Sequence, residues 1–320
     1  MINKVVLVLI INIILSVIIG CIVIPIFKKN IYQRLNRYVS EHKSKAGTPT
    51  MGGLIFIIPV LLTNLFIIKS NTLLIILITF VLYGLIGFID DYLIIKRNNN
   101  DGLSEKSKFL LQLIVAIIFF YLFLKSGNEP LLWIHTLGIK INIGFLYGVF
   151  ILLVLVSVTN AVNITDGMDG LCGSLSLIVF ITLGIISYNT GWLLGYQEVT
   201  LFCFSLVGSL IGFLFYNFYP AKIFMGDTGS LALGAAMGSI AILTRHELLL
   251  VLICIVFVIE TLTCIIQRVY YKFTKKRVFL MTPIHHTFNR IGYSENDIVK
   301  LFCMVGILAS LISLIFGIII

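Results

Sequence analysis

The sequence predicts an all-α polytopic membrane protein with about ten transmembrane helices. Of its 320 residues 59% are hydrophobic, against about 45–50% in an average soluble protein, and only 12% are charged. Apolar runs of about 20 residues, long enough to cross a bilayer as a helix, recur from one end of the chain to the other. No repeat and no polar linker divides the chain, so we expect a single transmembrane domain over residues 1–320.

The apolar runs predict ten helices in order along the chain. Their approximate bounds are 5–27, 51–68, 72–90, 108–124, 143–161, 170–188, 199–216, 230–243, 247–270 and 298–320. The first run is too long for the apolar part of a signal peptide and no small-residue cleavage site follows it, so we expect it to remain as a helix. The eighth is short and rich in Gly and Ala, which is typical of a tightly packed or partly re-entrant helix. Residues 131–143 alternate imperfectly and predict a small β-hairpin on the outer side.

The basic residues are distributed unevenly over the loops between these helices. Every second loop, starting with the first and including the flanking helix ends, holds 18 of the 23 Lys and Arg. These loops are 28–50, 91–107, 162–169, 217–229 and 271–297. Since basic residues near helix ends stay on the cytoplasmic side, we expect these loops to face the cytoplasm and both chain termini to lie on the outer side of the membrane. The net charge of +9 then indicates topology and contact with anionic membrane lipids, not nucleic-acid binding.

The acidic residues show a second bias that topology does not explain. All seven aspartates fall on the predicted cytoplasmic side: Asp90, Asp91, Asp101, Asp166, Asp169, Asp227 and Asp297. Acidic residues contribute little to orientation. Taken alone, an Asp-Asp pair at a helix end is more often a solvated end than a site. Taken together, the aspartates suit a Mg²⁺–diphosphate complex, since Mg²⁺ prefers one or two carboxylates plus substrate phosphates and water.

Four polar segments share this side with Asp90 and Asp91. They are KSKAGTPTMGG (43–53), TNAVNITDGMDGLCGS (159–174), YNFYPAKIFMGDTGS (216–230) and MTPIHHTFN (281–289). Glycine lets backbone N–H groups approach a ligand closely, and a helix opening at Ser230 presents a positive end to an anion. Lysine and histidine neutralise phosphate oxygens that a metal leaves uncovered. The two adjacent aspartates either hold a metal or accept a proton from an attacking phosphate, and their spacing leaves both open.

Six blocks of the sequence resemble one known family. They are KAGTPTMGG (45–53), GFIDDY (87–92), NITDGMDGL (163–171), NFYPAKIFMGDTGSLALG (217–234), ET…IIQ (260–267) and PIHH (283–286). They are similar to the phospho-N-acetylmuramoyl-pentapeptide transferases, among the polyprenyl-phosphate N-acetylhexosamine-1-phosphate transferases. The resemblance implies ten transmembrane helices, a homodimer and a cytoplasmic cleft. It also implies Mg²⁺-dependent transfer from UDP-N-acetylmuramoyl-pentapeptide to undecaprenyl phosphate, giving lipid I and UMP for peptidoglycan synthesis.

The resemblance further implies roles for individual positions. Asp227 would ligate Mg²⁺, and His285 would support catalysis near the phosphates. Asp90 and Asp91 would deprotonate the lipid phosphate or bind the metal. The substrate-binding positions that it implies are Lys45, Thr50, Lys106, Lys108, Asn163, Asp166, Gly167, Met168, Asp169, Asn217, Phe224, Gly226, Gln267 and His286.

Some of these positions also have an ordinary structural explanation. Lys106 and Lys108 are candidates for the lipid phosphate, and long basic side chains at a helix end also reach the interface as simple anchors. Phe224 suits stacking on a uracil, and it also suits an interfacial aromatic. Glu260 is the only acidic residue well inside a predicted span, and we favour a structural hydrogen-bonding role over a proton site.

Three departures from the usual family pattern concern the choice of donor. Ile94 stands where a lysine is usual, Thr287 replaces a third histidine, and Asn289 replaces an acid. One alternative is therefore a paralogous transferase that uses UDP-N-acetylglucosamine or a related UDP-sugar. A second is a transporter whose carboxylates bind ions, which would place its charges near the bilayer midplane.

Overall fold

The computed structural model describes residues 1–30, 47–97, 101–134 and 138–319, and these residues are mainly helical. The helices are α1 (Ile2–Asn30), α2 (Leu54–Leu65), α3 (Asn71–Arg97), α4 (Glu105–Lys125), α5 (Leu146–Thr165), α6 (Leu171–Asn189), α7 (Tyr196–Asn217), α8 (Gly226–Leu243), α9 (Leu249–Ile253), α10 (Ile255–Thr274), α11 (Ile284–Arg290) and α12 (Glu295–Leu314). A π-helical turn, Ile315–Ile319, extends α12.

Eight of the described helices are long and apolar enough to cross a membrane: α1, α3, α4, α5, α6, α7, α8 and α12. The predicted all-α polytopic fold is confirmed. Two of the ten predicted spans take a different form. The second contains only the 12 helical residues of α2, because residues 51–53 form a turn before it. The ninth is interrupted at Cys254, which separates α9 from α10.

The predicted hairpin is also confirmed. Strands β1 (Leu131–Ile134) and β2 (Ile139–Asn142) pair antiparallel, with Leu131 opposite Asn142. The guanidinium of Arg245 holds the hairpin to the bundle by donating hydrogen bonds to the carbonyls of Leu131 and Glu129, at 3.0 and 2.9 Å.

Helix α8 is the centre of the bundle, and its most extensive contacts are with α3 and α5. All of its residues from Thr228 to Leu243 are buried. Small residues make this possible: a Cβ added to Gly234 would lie 2.5 Å from the Cα of Thr159 on α5. Membrane helices associate through such close approaches of small residues. The structure therefore shows the tight packing predicted for this short helix, and Asp227 lies in its first turn.

Candidate active site

The carboxylates of three predicted site residues lie close together, where the ends of four helices converge. Asp90 and Asp91 lie near the C-terminal end of α3, and Lys108 lies in the first turn of α4. Asn163 is in the last turn of α5, and Asp227 is in the first turn of α8. Residues far apart in the sequence thus share one end of the bundle, as the distribution of aspartates predicted.

Asp91 is a cap for the start of α8. Its Oδ1 accepts a hydrogen bond from the backbone N–H of Asp227 at 3.2 Å. Its Oδ2 accepts from the backbone N–H of Thr228 at 2.9 Å and from the hydroxyl of the same residue at 2.6 Å. The first N–H groups of a helix have no partner within it, and a carboxylate there also meets the positive end of the helix dipole. Gly226, with φ of +73°, completes the turn, and a Cβ there would lie 2.6 Å from Oδ2 of Asp91.

Asp90 faces a different environment from its neighbour. Its Oδ1 accepts a hydrogen bond from the N–H of Leu103 at 2.8 Å, whereas its Oδ2 lies 3.8 Å from the ammonium of Lys108. The same ammonium donates to Oδ2 of Asp227, so Lys108 lies between the two carboxylates. Lys106 is exposed. Of the two predicted lysines, Lys108 is therefore the one that contacts the cluster.

Asp227 is oriented by the end of α5. The amide nitrogen of Asn163 donates to Oδ1 of Asp227 at 2.7 Å and reaches the hydroxyl of Ser230 at 2.9 Å. The side chain of Asp227 is 22% exposed, so this carboxylate is open to a ligand in a way that the buried Asp91 is not. Asn163 thus holds Asp227 at the opening of the site.

The donor set suits a divalent cation that is shared with a substrate. Among the described residues no three His, Cys, Asp or Glu side chains converge as a ready-made metal site. Asp90 and Asp227 nevertheless face one positive charge, the ammonium of Lys108. One or two carboxylates, completed by phosphate oxygens and water, are the arrangement that Mg²⁺ prefers. The residues present therefore fit Mg²⁺ bound together with a diphosphate.

Asp166 adds a fourth carboxyl group just beyond the end of α5. Burial raises its pKa to about 8, and the negative charges of Asp227 and Asp91 act in the same direction, while the backbone N–H of Gly226 opposes them. The raised pKa reflects the crowding of carboxyl groups at this end of the bundle.

Two predicted substrate-binding residues hold the backbone of the site. The amide oxygen of Asn217 accepts from the N–H of Gly170 at 3.1 Å, and its nitrogen donates to the carbonyl of Ile223 at 2.9 Å. Oδ2 of Asp169 accepts from the N–H of Ala221 at 2.9 Å. Both side chains are buried, and so is the neighbouring Met168. These residues join the turn before α6 to the segment before α8.

The GTPTMGG segment pairs with the same stretch before α8. The N–H of Phe224 donates to the carbonyl of Pro49, and the N–H of Gly52 donates to the carbonyl of Phe224, both at 2.8 Å. Thr50 is buried within this pairing, and the ring of Phe224 is half-buried. Lys45 lies outside the described residues.

His285 is fully buried and has an acidic neighbour. Its Nδ1 lies 3.1 Å from Oε2 of Glu260, which is also fully buried, although the two groups are not aligned for a hydrogen bond. Its Nε2 faces Gly167, where an added Cβ would come within 2.5 Å. The ring of His286 lies 4.2 Å from that of His285, centroid to centroid. The pairing of Glu260 with His285 was missed at the sequence level, although both residues fall in the blocks that carry the resemblance.

Three side chains hold the loop between α10 and α11 and the ends of α11. One is Gln267, and the other two, Thr287 and Asn289, are departures from the usual family pattern. The side-chain oxygen of Gln267 accepts from the N–H groups of residues 278–279, both at 3.0 Å. The hydroxyl of Thr287 donates to the carbonyl of Met281 at 2.5 Å and accepts from its N–H at 3.2 Å. Asn289 donates to a backbone carbonyl beyond α11. The hydrogen bonds of Thr287 and Asn289 thus go to backbone groups around α11 and not to the carboxylate cluster.

Comparison with known proteins identifies the family. The profile of Glycosyl transferase family 4 matches residues 73–245, and the phospho-N-acetylmuramoyl-pentapeptide-transferase signature 1 matches residues 45–57. A phospho-N-acetylmuramoyl-pentapeptide-transferase of Staphylococcus epidermidis is 45% identical over 285 residues, which cover 87% of this chain and 88% of the relative. One of a Geobacillus species is 39% identical over 317 residues, which cover 97% of this chain and 96% of the relative. The chain belongs to the phospho-N-acetylmuramoyl-pentapeptide-transferase family.

Membership of the phospho-N-acetylmuramoyl-pentapeptide-transferase family makes the chain a phosphoglycosyl transferase and sets the transporter alternative aside. The region matched at 73–245 contains the carboxylates of Asp90 and Asp227 together with Lys108 and Asn163. The shorter signature contains Thr50. The longer match therefore includes Lys108 and both of the carboxylates that it contacts.

Proposed function

We propose that the protein transfers phospho-N-acetylmuramoyl-pentapeptide from its UDP donor to undecaprenyl phosphate. The products are lipid I and UMP, and the reaction serves peptidoglycan synthesis. The observation that carries the proposal is the position of Lys108 between Asp90 and Asp227, at the start of a helix that Asp91 caps. The names of the relatives supply the donor.

The charged groups of the site suit the binding of a diphosphate. Asp227, with Asp90 beside it, would hold Mg²⁺, which when bound supplies positive charge to the diphosphate oxygens. Lys108 neutralises oxygens that remain uncovered. The N-terminus of α8 adds a further positive end, since the peptide dipoles of a helix align along its axis.

Asp90 is the better candidate for accepting the proton of the attacking phosphate. Both oxygens of Asp91 accept hydrogen bonds from α8, whereas Oδ2 of Asp90 lies 3.8 Å from the ammonium of Lys108, with the carboxylate of Asp227 close by. In the proposed step an oxygen of undecaprenyl phosphate bonds to the β-phosphorus of the donor. The bond from that phosphorus to the bridging oxygen breaks, and UMP leaves. Oδ2 of Asp90 takes any proton that the attacking phosphate still carries.

Substitution of the two neighbouring aspartates is expected to separate catalysis from stability. Asp90→Asn keeps an oxygen for the N–H of Leu103 but cannot take a proton, so kcat for UMP release should fall about 100-fold with an unchanged Tm. Asp91→Ala removes the cap of α8 and leaves its N–H groups unpaired, so the free energy of unfolding should fall by about 2 kcal/mol. Enzyme assays and thermal unfolding in one detergent measure both. A lowered Tm for Asp90→Asn together with an unchanged Tm for Asp91→Ala would reverse the assignment.

We also infer that the site faces the cytoplasm of a bacterial plasma membrane and that both termini lie outside. The support is the concentration of basic residues in alternate loops, since such residues remain on the cytoplasmic side. A homodimer among membrane lipids follows from the family resemblance. Labelling of single introduced cysteines in intact cells tests the orientation: Asp101→Cys, at an exposed position between α3 and α4, should be protected from an impermeant reagent.

Release of UMP by the purified protein tests the reaction. In detergent with undecaprenyl phosphate and Mg²⁺, we expect UMP from UDP-N-acetylmuramoyl-pentapeptide. EDTA should abolish release and added Mg²⁺ should restore it, because the carboxylate of Asp227 needs a cation to accept a diphosphate beside it. Undiminished release in EDTA would remove the metal from the proposal.

A side-by-side assay with UDP-N-acetylglucosamine distinguishes the paralogous reaction. Thr287 and Asn289 bond backbone groups around α11, so the structure gives a local reason for these departures that involves no change of donor. We therefore expect the pentapeptide donor to be used and the smaller donor to be inert. UMP from UDP-N-acetylglucosamine alone would establish the alternative.

A further inference from the structure

A second cleft, lined by three arginines, lies beside the proposed active site. Its volume is about 870 Å³, and α10, the loop after it and α11 form its walls. Arg268 comes from α10, Arg277 from the loop and Arg290 from the end of α11. The lining contains no Asp or Glu, and within the described part of the chain none of the three arginines forms an ion pair with a carboxylate.

Hydrogen bonds from two side chains hold the walls of this cleft in place. Gln267 fixes the backbone of residues 278–279, and Thr287 fixes that of Met281. The cleft also adjoins the reaction site, because Ile164 lines it and is the residue after Asn163. The arginine-lined space thus reaches the last turn of α5, which also carries Asn163, the partner of Asp227.

We propose that this arginine cleft binds the carboxylates of the donor's peptide, an inference that rests on the function proposed above. A peptide ends in a carboxylate, and arginine binds carboxylates through two parallel hydrogen bonds. Five extended residues measure about 17 Å, so the peptide of a donor whose diphosphate lies at Asp227 extends well beyond the carboxylate cluster. The cleft has the volume of a typical ligand pocket, far more than a phosphate needs.

The arrangement of α10 argues against the two other anions in the reaction. A metal-bound diphosphate needs a carboxylate close by to hold the metal, and the lining of the cleft has none. A polyprenyl tail needs a continuous apolar surface, whereas in this cleft the three arginines interrupt the apolar residues Ile164, Ile265 and Met281. The peptide is the remaining anionic part of the substrates.

Two donors and three variants test the proposal. The variants are Arg268→Gln, Arg290→Gln and, as a matched control, Lys272→Gln, which removes one positive charge a turn further along α10 without touching the cleft. The donors are UDP-N-acetylmuramoyl-pentapeptide and the same molecule with its peptide carboxylates converted to amides. With the natural donor, each arginine variant should raise KM about tenfold at an unchanged kcat, because a hydrogen-bonded charge pair is lost. Lys272→Gln should match the wild type.

The amidated donor shows whether the lost contact is to carboxylates. We expect the wild type to use it with a raised KM, and the arginine variants to raise that KM no further, since the paired groups are already separated. Equal effects on both donors, no effect on either, or a raised KM for undecaprenyl phosphate instead would each overturn the proposal. A wild type that releases no UMP from the natural donor would refute the proposed function itself.

Discussion

Replacing Asp227 with Asn is expected to lower kcat for UMP release by about 10³-fold. The substitution keeps the size of the side chain but removes the negative charge that faces Lys108 and that would hold the proposed Mg²⁺. The backbone N–H groups at the start of α8 keep their partner, since Asp91 supplies it. The variant should therefore have nearly the Tm of the wild type, and the loss should appear in the assay alone.

Asp297→Asn is a matched control for the loss of one aspartate charge. Asp297 is exposed at the start of α12, where it pairs with Lys300 at 3.7 Å, away from the carboxylate cluster. Exposed pairs contribute little, so its UMP release should stay within about twofold of the wild type. Near-normal turnover by Asp227→Asn would exclude a direct role of this carboxylate and with it the proposed reaction centre.

Composition was sufficient to predict most of the helices, because a chain with so few charges has long apolar runs, which are typical of helices that cross a membrane. The bounds of α2 could not be read in the same way. Its apolar run continues back to Met51, but Met51 has φ of +67°, and the N–H groups of Gly52 and Gly53 pair with the segment before α8. A contact between distant segments thus decides where the helix begins.

The sequence could predict which residues form the candidate site, but not which group each of them contacts. The shared side of the aspartates follows from loop order alone. The different hydrogen-bond partners of Asp90 and Asp91 depend on which carboxylate faces α8, and no spacing within the sequence encodes that. The pairing of Glu260 with His285 likewise requires α10 and α11 to be folded against each other.

Among single substitutions of glycine by alanine in the helix bundle, Gly87→Ala should lower the stability of the protein most. A Cβ at this position of α3 would lie 2.0 Å from the carbonyl oxygen of Asp227 and 2.5 Å from the nitrogen of Thr228. These are backbone atoms, so α8 cannot yield by rotating a side chain, and the two helices must separate. We expect the free energy of unfolding to fall by about 3 kcal/mol, the upper end of the usual cost of overpacking.

The neighbouring Gly84 provides the control, because it lies one turn earlier on α3 and also faces α8. A Cβ there would lie 3.5 Å from the Cβ of Ala232, an ordinary contact, and alanine favours a helix over glycine by about 1 kcal/mol. Gly84→Ala should therefore keep or raise the Tm that Gly87→Ala lowers, as thermal unfolding in detergent can measure. Equal Tm values for the two variants would contradict the close approach of α3 and α8.

The activity of Gly87→Ala is expected to fall further than its stability requires. Separation of α3 from α8 moves Asp91 away from the N–H groups that it caps and moves Asp227 away from Lys108 and Asn163. A displacement of about 1 Å is enough to cost about 100-fold in rate when the reacting groups must be aligned. The correctly folded fraction of Gly87→Ala, isolated at low temperature, should therefore release UMP at least about 100-fold more slowly than Gly84→Ala. Equal rates would mean that the geometry at Asp227 does not depend on this contact.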